Sequence, residues 1–173
     1  LDTDMQCVIV GDAPYAEEYK AELRRLAGDD PRIVFTGYVF GEGYWELNSH
    51  AYAFVETSGV GGTHPALVEA MNFGNCVVVH NTPENLETVD AAGLWYDGPA
   101  GAASLAPVLR TLLDAPPLVD AYRQAAAERA AAVYGWEAVT DAYEALFAQV
   151  LGGPGGRVGG CPGARVPGGP GRP

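Results

Sequence analysis

Positive charge is scarce in this sequence. Its 173 residues contain ten Lys and Arg against 22 Asp and Glu, which gives a net charge of −12 at pH 7, and Lys20 is the single lysine. Binding to nucleic acid or to an anionic membrane surface through bulk electrostatics requires clustered basic residues. The composition therefore argues against that class of partner, and we expect no nucleic-acid partner.

Long apolar runs and paired cysteines are also missing. No stretch approaches the ~18 consecutive apolar residues of a membrane-spanning helix, and no charged-then-apolar signal segment opens the chain. The three cysteines, Cys7, Cys76 and Cys161, lie far apart and form no CxxC pair. We predict reduced thiols in a cytoplasmic protein, without a structural zinc site.

Apolar residues, by contrast, make up 48% of the chain, which is enough for a packed core. The exception is the segment 152–173, which contains ten glycines and five prolines and has no apolar periodicity. Such a segment cannot bury enough surface to offset its ordering entropy. We predict a folded domain over residues 1–151 and a disordered tail over 152–173.

Short apolar runs alternate with amphipathic segments throughout the predicted domain. The strands are expected near 6–10, 32–38, 51–56, 76–80 and 93–96. The helices are expected at about 14–27, 44–48, 65–73, 83–90, 102–114, 118–133 and 136–151. This alternation is typical of an α/β fold with a Rossmann-like parallel sheet flanked by helices, and the first strand is predicted to be buried on both faces.

Ligands of such sheets bind in the loops at the carboxyl ends of the strands. The most informative of these loops lies within VETSGVGGTHPALVEAM, residues 55–71. Its glycines allow unusual backbone conformations and the close approach of a ligand. Pro65 begins the next helix, whose free N–H groups and dipole favour a phosphate. The alternative is that the glycines only form a turn.

Polar side chains flank this loop. Thr63 and His64 can form hydrogen bonds with hydroxyl groups, and Glu69 lies one turn into the helix, where its carboxylate can reach a ribose diol or a sugar. The structural alternative makes Glu69 a solvated helix residue. His80 ends a strand on the same side and is interpreted as structural, because a metal site would need further ligands at suitable spacing. No GxSxG motif indicates a hydrolase.

The stretch resembles the donor-binding half of GT-B type retaining glycosyltransferases, the group 1 or family 4 enzymes. Members of that family usually have two glutamates separated by seven residues, as in EGFGLPxLEAM. Glu69 matches the second glutamate, and Gly61 takes the place of the first. GGTHPALVEAM resembles a GGT(N/H)P variant of rhamnosyltransferase-like members. Similar matches cover about residues 5–151, at VIVGDAPY, RIVFTGYV, GNCVVVHNTPENLETVDAAGLWYD and WEAVTDAYEALF.

The resemblance implies roles for several residues. Glu69 would hold the ribose hydroxyls of the nucleotide, and Gly11 would face the phosphates. Tyr38 and Val39 would bracket the base. The transferred sugar and the diphosphate would be lined by Gly61, Gly62, Thr63 and His64. Glu56 is the candidate catalytic carboxylate that could compensate for Gly61, and the equal alternative is a simple strand-end residue.

The resemblance also implies transfer of a hexose from a nucleotide-diphosphate sugar, without a metal or another cofactor. The chain would be the C-terminal half of a GT-B fold, without its first strand–helix unit. The acceptor, a glycan or a lipid-linked molecule, would be bound by a missing N-terminal domain. We therefore expect the isolated chain to be inactive, and the complete enzyme to be cytoplasmic or peripheral at the inner face of the membrane.

Two other functions stay open. The first is a non-catalytic module that binds a nucleotide or a phosphosugar. The second is a nucleotide-sugar epimerase of the GT-B fold, which would need additional carboxylates and histidines from the missing half. An upstream reading frame that encodes an acceptor domain would favour the transferase over the module.

Overall fold

The computed structural model describes residues 1–152, in two compact units that divide after Tyr134. The first unit alternates strands and helices: β1 (Cys7–Val10), α1 (Glu17–Ala27), β2 (Ile33–Gly37), α2 (Glu42–His50), β3 (Phe54–Glu56), α3 (Pro65–Asn72), β4 (Val77–His80), α4 (Pro83–Val89), β5 (Leu94–Tyr96), α5 (Ala102–Asp114) and α6 (Pro116–Tyr134). A 3₁₀ turn over Asp90–Ala92 precedes β5.

The second unit contributes one described helix, α7 (Trp136–Gly152). Along it the rings of Tyr143 and Phe147 lie 6.0 Å apart, as expected for residues one turn apart. The helix is one residue longer than predicted, so Gly152 is helical rather than part of a tail. The rest of the predicted tail lies outside the described residues, and the division into domain and tail stays a prediction.

The strands form parallel sheets, which confirms the predicted α/β class. They are divided between two sheets, however, with β1 paired to β2 and β3-β4-β5 forming the other. β3 is shorter than the predicted strand over 51–56. The reason is a competing hydrogen bond, because the carbonyls of Ala51 and Tyr52 accept from the Arg123 guanidinium of α6 at 2.9 and 3.3 Å.

The core surrounds β4, whose three valines are fully buried. Alternation along the strand turns Val77 and Val79 towards a cluster with α3, α4 and α6, and Val78 towards a second cluster with β5, α5 and α6. Cys76 belongs to the second cluster, and its burial raises the pKa of its thiol to about 11. β4 is therefore the buried strand whose carboxyl end positions the candidate site.

β1 contradicts the predicted burial. Val8 and Val10 are 37% and 45% exposed, and Cys7 is exposed as well. Within residues 1–152 β1 pairs with β2 alone, and α1 contributes no buried side chain. A continuous apolar run predicts a strand correctly, but burial of both faces also needs layers of structure on both sides.

Local hydrogen bonds account for shifted helix ends. α1 begins at Glu17, later than predicted, and a turn that is closed by the bond from the Ala16 amide to the Ala13 carbonyl at 2.9 Å precedes it. The Asp12 carboxylate accepts from the Ala13 amide at 2.7 Å. The Asp12 carboxylate also forms an ion pair with the Lys20 ammonium, 2.8 Å away. α4 begins as predicted, since the Thr82 hydroxyl accepts from the Asn85 amide and caps it.

An Asp30–Arg32 pair precedes β2 and yields a titration prediction. The guanidinium donates to both carboxylate oxygens at 2.9 and 2.7 Å and lowers the pKa of Asp30 from 3.8 to about 2. The pair's contribution to stability is thus present above pH 3.8 and is lost as the pH falls towards 2. We expect Arg32→Gln to move the carboxyl midpoint of Asp30 upwards in an NMR titration.

The matched control is Arg110→Gln, which changes an exposed arginine of α5. This variant should leave the Asp30 titration unchanged. An Asp30 midpoint that is the same in Arg32→Gln and in the parent would refute the pairing.

Candidate functional site

The loop between β3 and α3 is anchored to the carboxyl end of β4. Ser58 is the anchor point, since its carbonyl is 3.2 Å from Nδ1 of His80. The buried Asn85 of α4 donates from Nδ2 to the Ser58 carbonyl at 3.4 Å and to the His80 carbonyl at 3.1 Å. The start of the glycine loop is therefore held where the sequence predicts a ligand site.

At three positions of the loop the structure gives a distinct reason for the presence of glycine. A Cβ atom at Gly59 would lie 2.9 Å from Cε1 of His80. One at Gly61 would lie 2.5 Å from Oε1 of Glu84. Gly62 has φ +121°, which side-chain-bearing residues rarely adopt. The loop is thus shaped by close approach of two polar side chains from β4 and α4.

His80 is packed rather than open to a ligand. Its ring stacks on that of Tyr96 with centroids 5.7 Å apart. On another side, a Cβ atom at Gly98 would fall 1.5 Å from Nε2 of His80. The geometry agrees with the interpretation of His80 as structural.

Glu69 projects from α3 and is exposed. Its Oε2 accepts a hydrogen bond of 2.5 Å from the Tyr44 hydroxyl of α2, and the Asn48 amide in turn donates to the Tyr44 carbonyl. The pKa of Tyr44 is raised above its usual value, mainly by burial and secondly by the bond to Glu69. The bond from Tyr44 orients the Glu69 carboxylate. Because a carboxylate has about four lone-pair sites, it can still accept hydrogen bonds from a ligand.

The sequence analysis did not identify Tyr44 as a site residue. No local pattern relates Tyr44 to Glu69, which is 25 positions further along the chain. The contact exists only because α2 and α3 meet in the fold.

Glu56 and His64 are both engaged within the loop. Glu56 accepts from the Ser58 amide at 2.8 Å through Oε1, which is the geometry of a strand-end residue. Nε2 of His64 is 3.1 Å from the Val60 carbonyl, so His64 closes the loop on itself. Thr63 is exposed at the loop's end. The carboxylate against Gly61 comes from Glu84, to which the sequence analysis assigned no role.

The remaining predicted donor-binding residues lie at the end of the first sheet. Gly11 has φ +116°, and its amide donates to the Gly37 carbonyl at 2.8 Å. Tyr38 stacks on Phe40 with ring centroids 5.9 Å apart, and the two residues are 56% and 80% exposed. Val39 lies between them and is half-buried. Their assignment to base and phosphates stays a prediction, and Phe40 is an addition from the structure.

The structure also informs the metal and membrane questions within its described range. Residues 1–152 contain no group of three or more His, Cys, Asp or Glu side chains placed to hold a metal ion. The prediction that the function needs no metal stays a prediction. Over the same residues, no helix combines the length and the apolar character needed to cross a membrane.

Residues 1–115 match the family model described as glycosyl transferases group 1, a range that includes both sheets and the glycine loop. The chain belongs to this family of glycosyltransferases. Comparison with curated proteins gives no match.

Solved structures support the same fold for this glycosyltransferase chain. Sucrose-phosphate synthase from Thermosynechococcus elongatus matches with a TM-score of 0.71 at 24% identity, over 85% of this chain and 39% of that protein. HepE from Anabaena, solved in complex with UDP, matches with a TM-score of 0.71 at 22% identity, over 83% and 41%. TarM gives a TM-score of 0.70 at 17% identity, over 84% and 29%. The chain therefore has the architecture of part of a GT-B glycosyltransferase and spans less than half of each of these proteins.

Proposed function

We propose that this chain forms the donor-binding half of a glycosyltransferase that moves a hexose from a nucleotide-diphosphate sugar with retention and without a metal. The observation that carries the proposal is the exposed Glu69 carboxylate, oriented by Tyr44 on the helix that follows the glycine loop. Family membership supports sugar transfer. HepE, solved with UDP and with UDP-glucose, supports a nucleotide sugar as the donor.

The proposed roles follow from the chemistry of each group. The Glu69 carboxylate accepts hydrogen bonds from the two ribose hydroxyls. The exposed Tyr38–Phe40 pair offers an aromatic surface for the base. The diphosphate lies near Gly62, where the loop enters α3 and the positive end of the helix dipole favours an anion. In this proposal Gly11 faces the phosphates, and Thr63 and His64 line the sugar and the diphosphate.

Transfer also needs stabilisation of the negative charge on the departing diphosphate, to which basic side chains can contribute beside the helix dipole. Lys20 is held by Asp12 at 2.8 Å and by Glu17 at 2.6 Å, so its charge is already compensated. We expect no measurable transfer by the 173-residue chain alone. The acceptor, whether a glycan or a lipid-linked molecule, and a cytoplasmic place in polysaccharide biosynthesis are part of the proposal.

The competing function is a nucleotide-binding module without turnover. Both functions predict binding of a nucleoside diphosphate, and sugar transfer by a longer chain that contains an acceptor domain distinguishes them. We expect such a chain to transfer the sugar. Tight donor binding without transfer to any acceptor would favour the module.

The first experiment is a titration of the 173-residue chain with UDP, GDP, ADP and dTDP, followed by ligand-observed NMR. We expect one of them to bind with a dissociation constant in the millimolar to high micromolar range, which corresponds to about 4–6 kcal/mol. The matching nucleoside, without phosphates, should bind more weakly. Absence of binding by all four diphosphates would overturn the proposed function.

Removal of the Tyr44 hydroxyl gives a sharper prediction at the same site. Tyr44→Phe should weaken binding of the diphosphate about two- to tenfold, because it removes one hydrogen bond, with a net value of about 0.5–1.5 kcal/mol, that orients Glu69. Tyr143→Phe in α7 is the matched control and should have no effect. Unchanged or tighter binding by Tyr44→Phe would show that the bond does not prepare Glu69 for the ligand.

A further inference from the structure

The Glu84 carboxylate lies directly against the glycine loop. A Cβ atom at Gly61 would be 2.5 Å from Oε1, 2.7 Å from Cδ and 3.0 Å from Oε2 of Glu84. These distances leave no room for a side chain at Gly61 while Glu84 keeps its position. The glycine therefore admits the carboxylate to the loop surface.

This half-buried carboxylate has unused acceptor capacity. Over residues 1–152 no hydrogen bond or ion pair engages the carboxylate oxygens of Glu84, whereas its backbone carbonyl accepts from the Thr88 hydroxyl at 2.8 Å. Arg129 of α6, which approaches the same helix, donates to the Thr88 and Glu87 carbonyls and to the Asp90 carboxylate. The carboxylate therefore keeps its acceptor capacity at the surface of the glycine loop, where it can accept hydrogen bonds from a ligand's hydroxyl groups.

We propose that Glu84 binds hydroxyl groups of the transferred sugar and selects a neutral hexose over a negatively charged one. A carboxylate only accepts hydrogen bonds, so it favours hydroxyl donors and disfavours phosphate or carboxylate beside it. This inference rests on the proposed function and adds to it the sugar's place and charge. It also places the sugar near Gly61 and the diphosphate further along the loop, towards α3.

Glu84 is a better candidate for this role than Glu56. The Glu56 carboxylate accepts from the Ser58 amide through Oε1 and stabilises the turn at the end of β3. Glu84 lies in the first turn of α4, which follows β4, and its carboxylate lies against Gly61 of the loop. The missing carboxylate at Gly61 is thereby supplied by a residue 23 positions later in the sequence.

The test compares UDP, UDP-glucose and UDP-glucuronate as ligands of the full 173-residue chain, with saturation-transfer NMR to separate sugar from uridine contacts. For Glu84→Gln we expect UDP affinity to stay the same. The gain in affinity from the glucose unit should fall at least threefold, the saturation of glucose protons should fall with it, and the preference for UDP-glucose over UDP-glucuronate should shrink.

A control variant completes the experiment. Glu87→Gln changes an exposed glutamate of the same helix and should behave as the parent. If Glu84→Gln keeps the parent's glucose contact and its preference over glucuronate, the inference is wrong and the proposed function stands.

The inference is also wrong, and the proposed function stands, if the parent binds UDP-glucose no better than UDP. Failure of the parent to bind UDP overturns the inference as well. The proposed function is then judged separately, by the titrations with the other nucleoside diphosphates.

Discussion

Glu69→Ala is expected to weaken nucleoside diphosphate binding at least tenfold and to leave the fold intact. The carboxylate would accept two charge-assisted hydrogen bonds from a ribose diol, each worth about 1.5–3 kcal/mol. Glu69 is exposed, and its bond to Tyr44 is a contact at the surface of α3. Loss of the side chain therefore removes ligand contacts without opening the core.

Titration of the diphosphate against the variant and the parent measures this effect, with thermal unfolding to confirm the fold. Glu144→Ala changes an exposed glutamate in α7 and serves as the control. Glu56→Ala in a longer chain that transfers the sugar is a useful comparison, because we expect it to alter sugar preference or turnover only if Glu56 is the substitute carboxylate. If Glu69→Ala binds the diphosphate like the parent, Glu69 is a solvated helix residue and the site assignment fails.

Gly98→Ala should destabilise the protein more than any other glycine-to-alanine change in the part of the chain that the structure describes. Its Cβ atom would lie 1.5 Å from Nε2 and 2.0 Å from Cδ2 of His80. The ring cannot retreat easily, because it stacks on Tyr96 and approaches Gly59 on another side. Overpacking of this kind costs about 2–3 kcal/mol, which corresponds to a fall in Tm of about 4–12 °C for a chain of this size.

Thermal unfolding followed by circular dichroism measures the loss. Gly152→Ala is the control, since a Cβ atom there meets nothing within 4 Å. The double variant His80→Ala with Gly98→Ala should be less destabilised than the sum of the two single changes predicts. The reason is that His80→Ala removes the imidazole ring with which the added Cβ atom at position 98 would clash. Additive losses would mean that the clash with His80 is not the cause.

The sequence predicted the order of elements and the place of the site well, because both depend on local patterns. Alternating apolar and amphipathic segments identify strands and helices, and the glycine loop before Pro65 marks the carboxyl end of β3. The exposure of β1 could not be predicted from its apolar run, since the run describes the strand and not the layers around it. The division into two sheets likewise depends on which strands meet.

The polar contacts of the site were the least predictable part. Tyr44 reaches Glu69 from another helix, and Glu84 reaches Gly61 from another loop. Sequence spacing describes neighbours within one helix or strand, whereas these contacts are set by how separate elements pack. The motif thus located Glu69, and the fold supplied the two residues that surround the loop and its helix.

The most direct test of the central claim is an amide chemical-shift map of the ¹⁵N-labelled chain during titration with the nucleoside diphosphate that binds best. The account predicts that the largest shifts occur at Gly62, Thr63 and Glu69, and that in Glu69→Ala the shifts at Gly62 and Thr63 need at least tenfold more ligand. Shifts that are confined to α5 and α6, or that persist unchanged in Glu69→Ala, would contradict it.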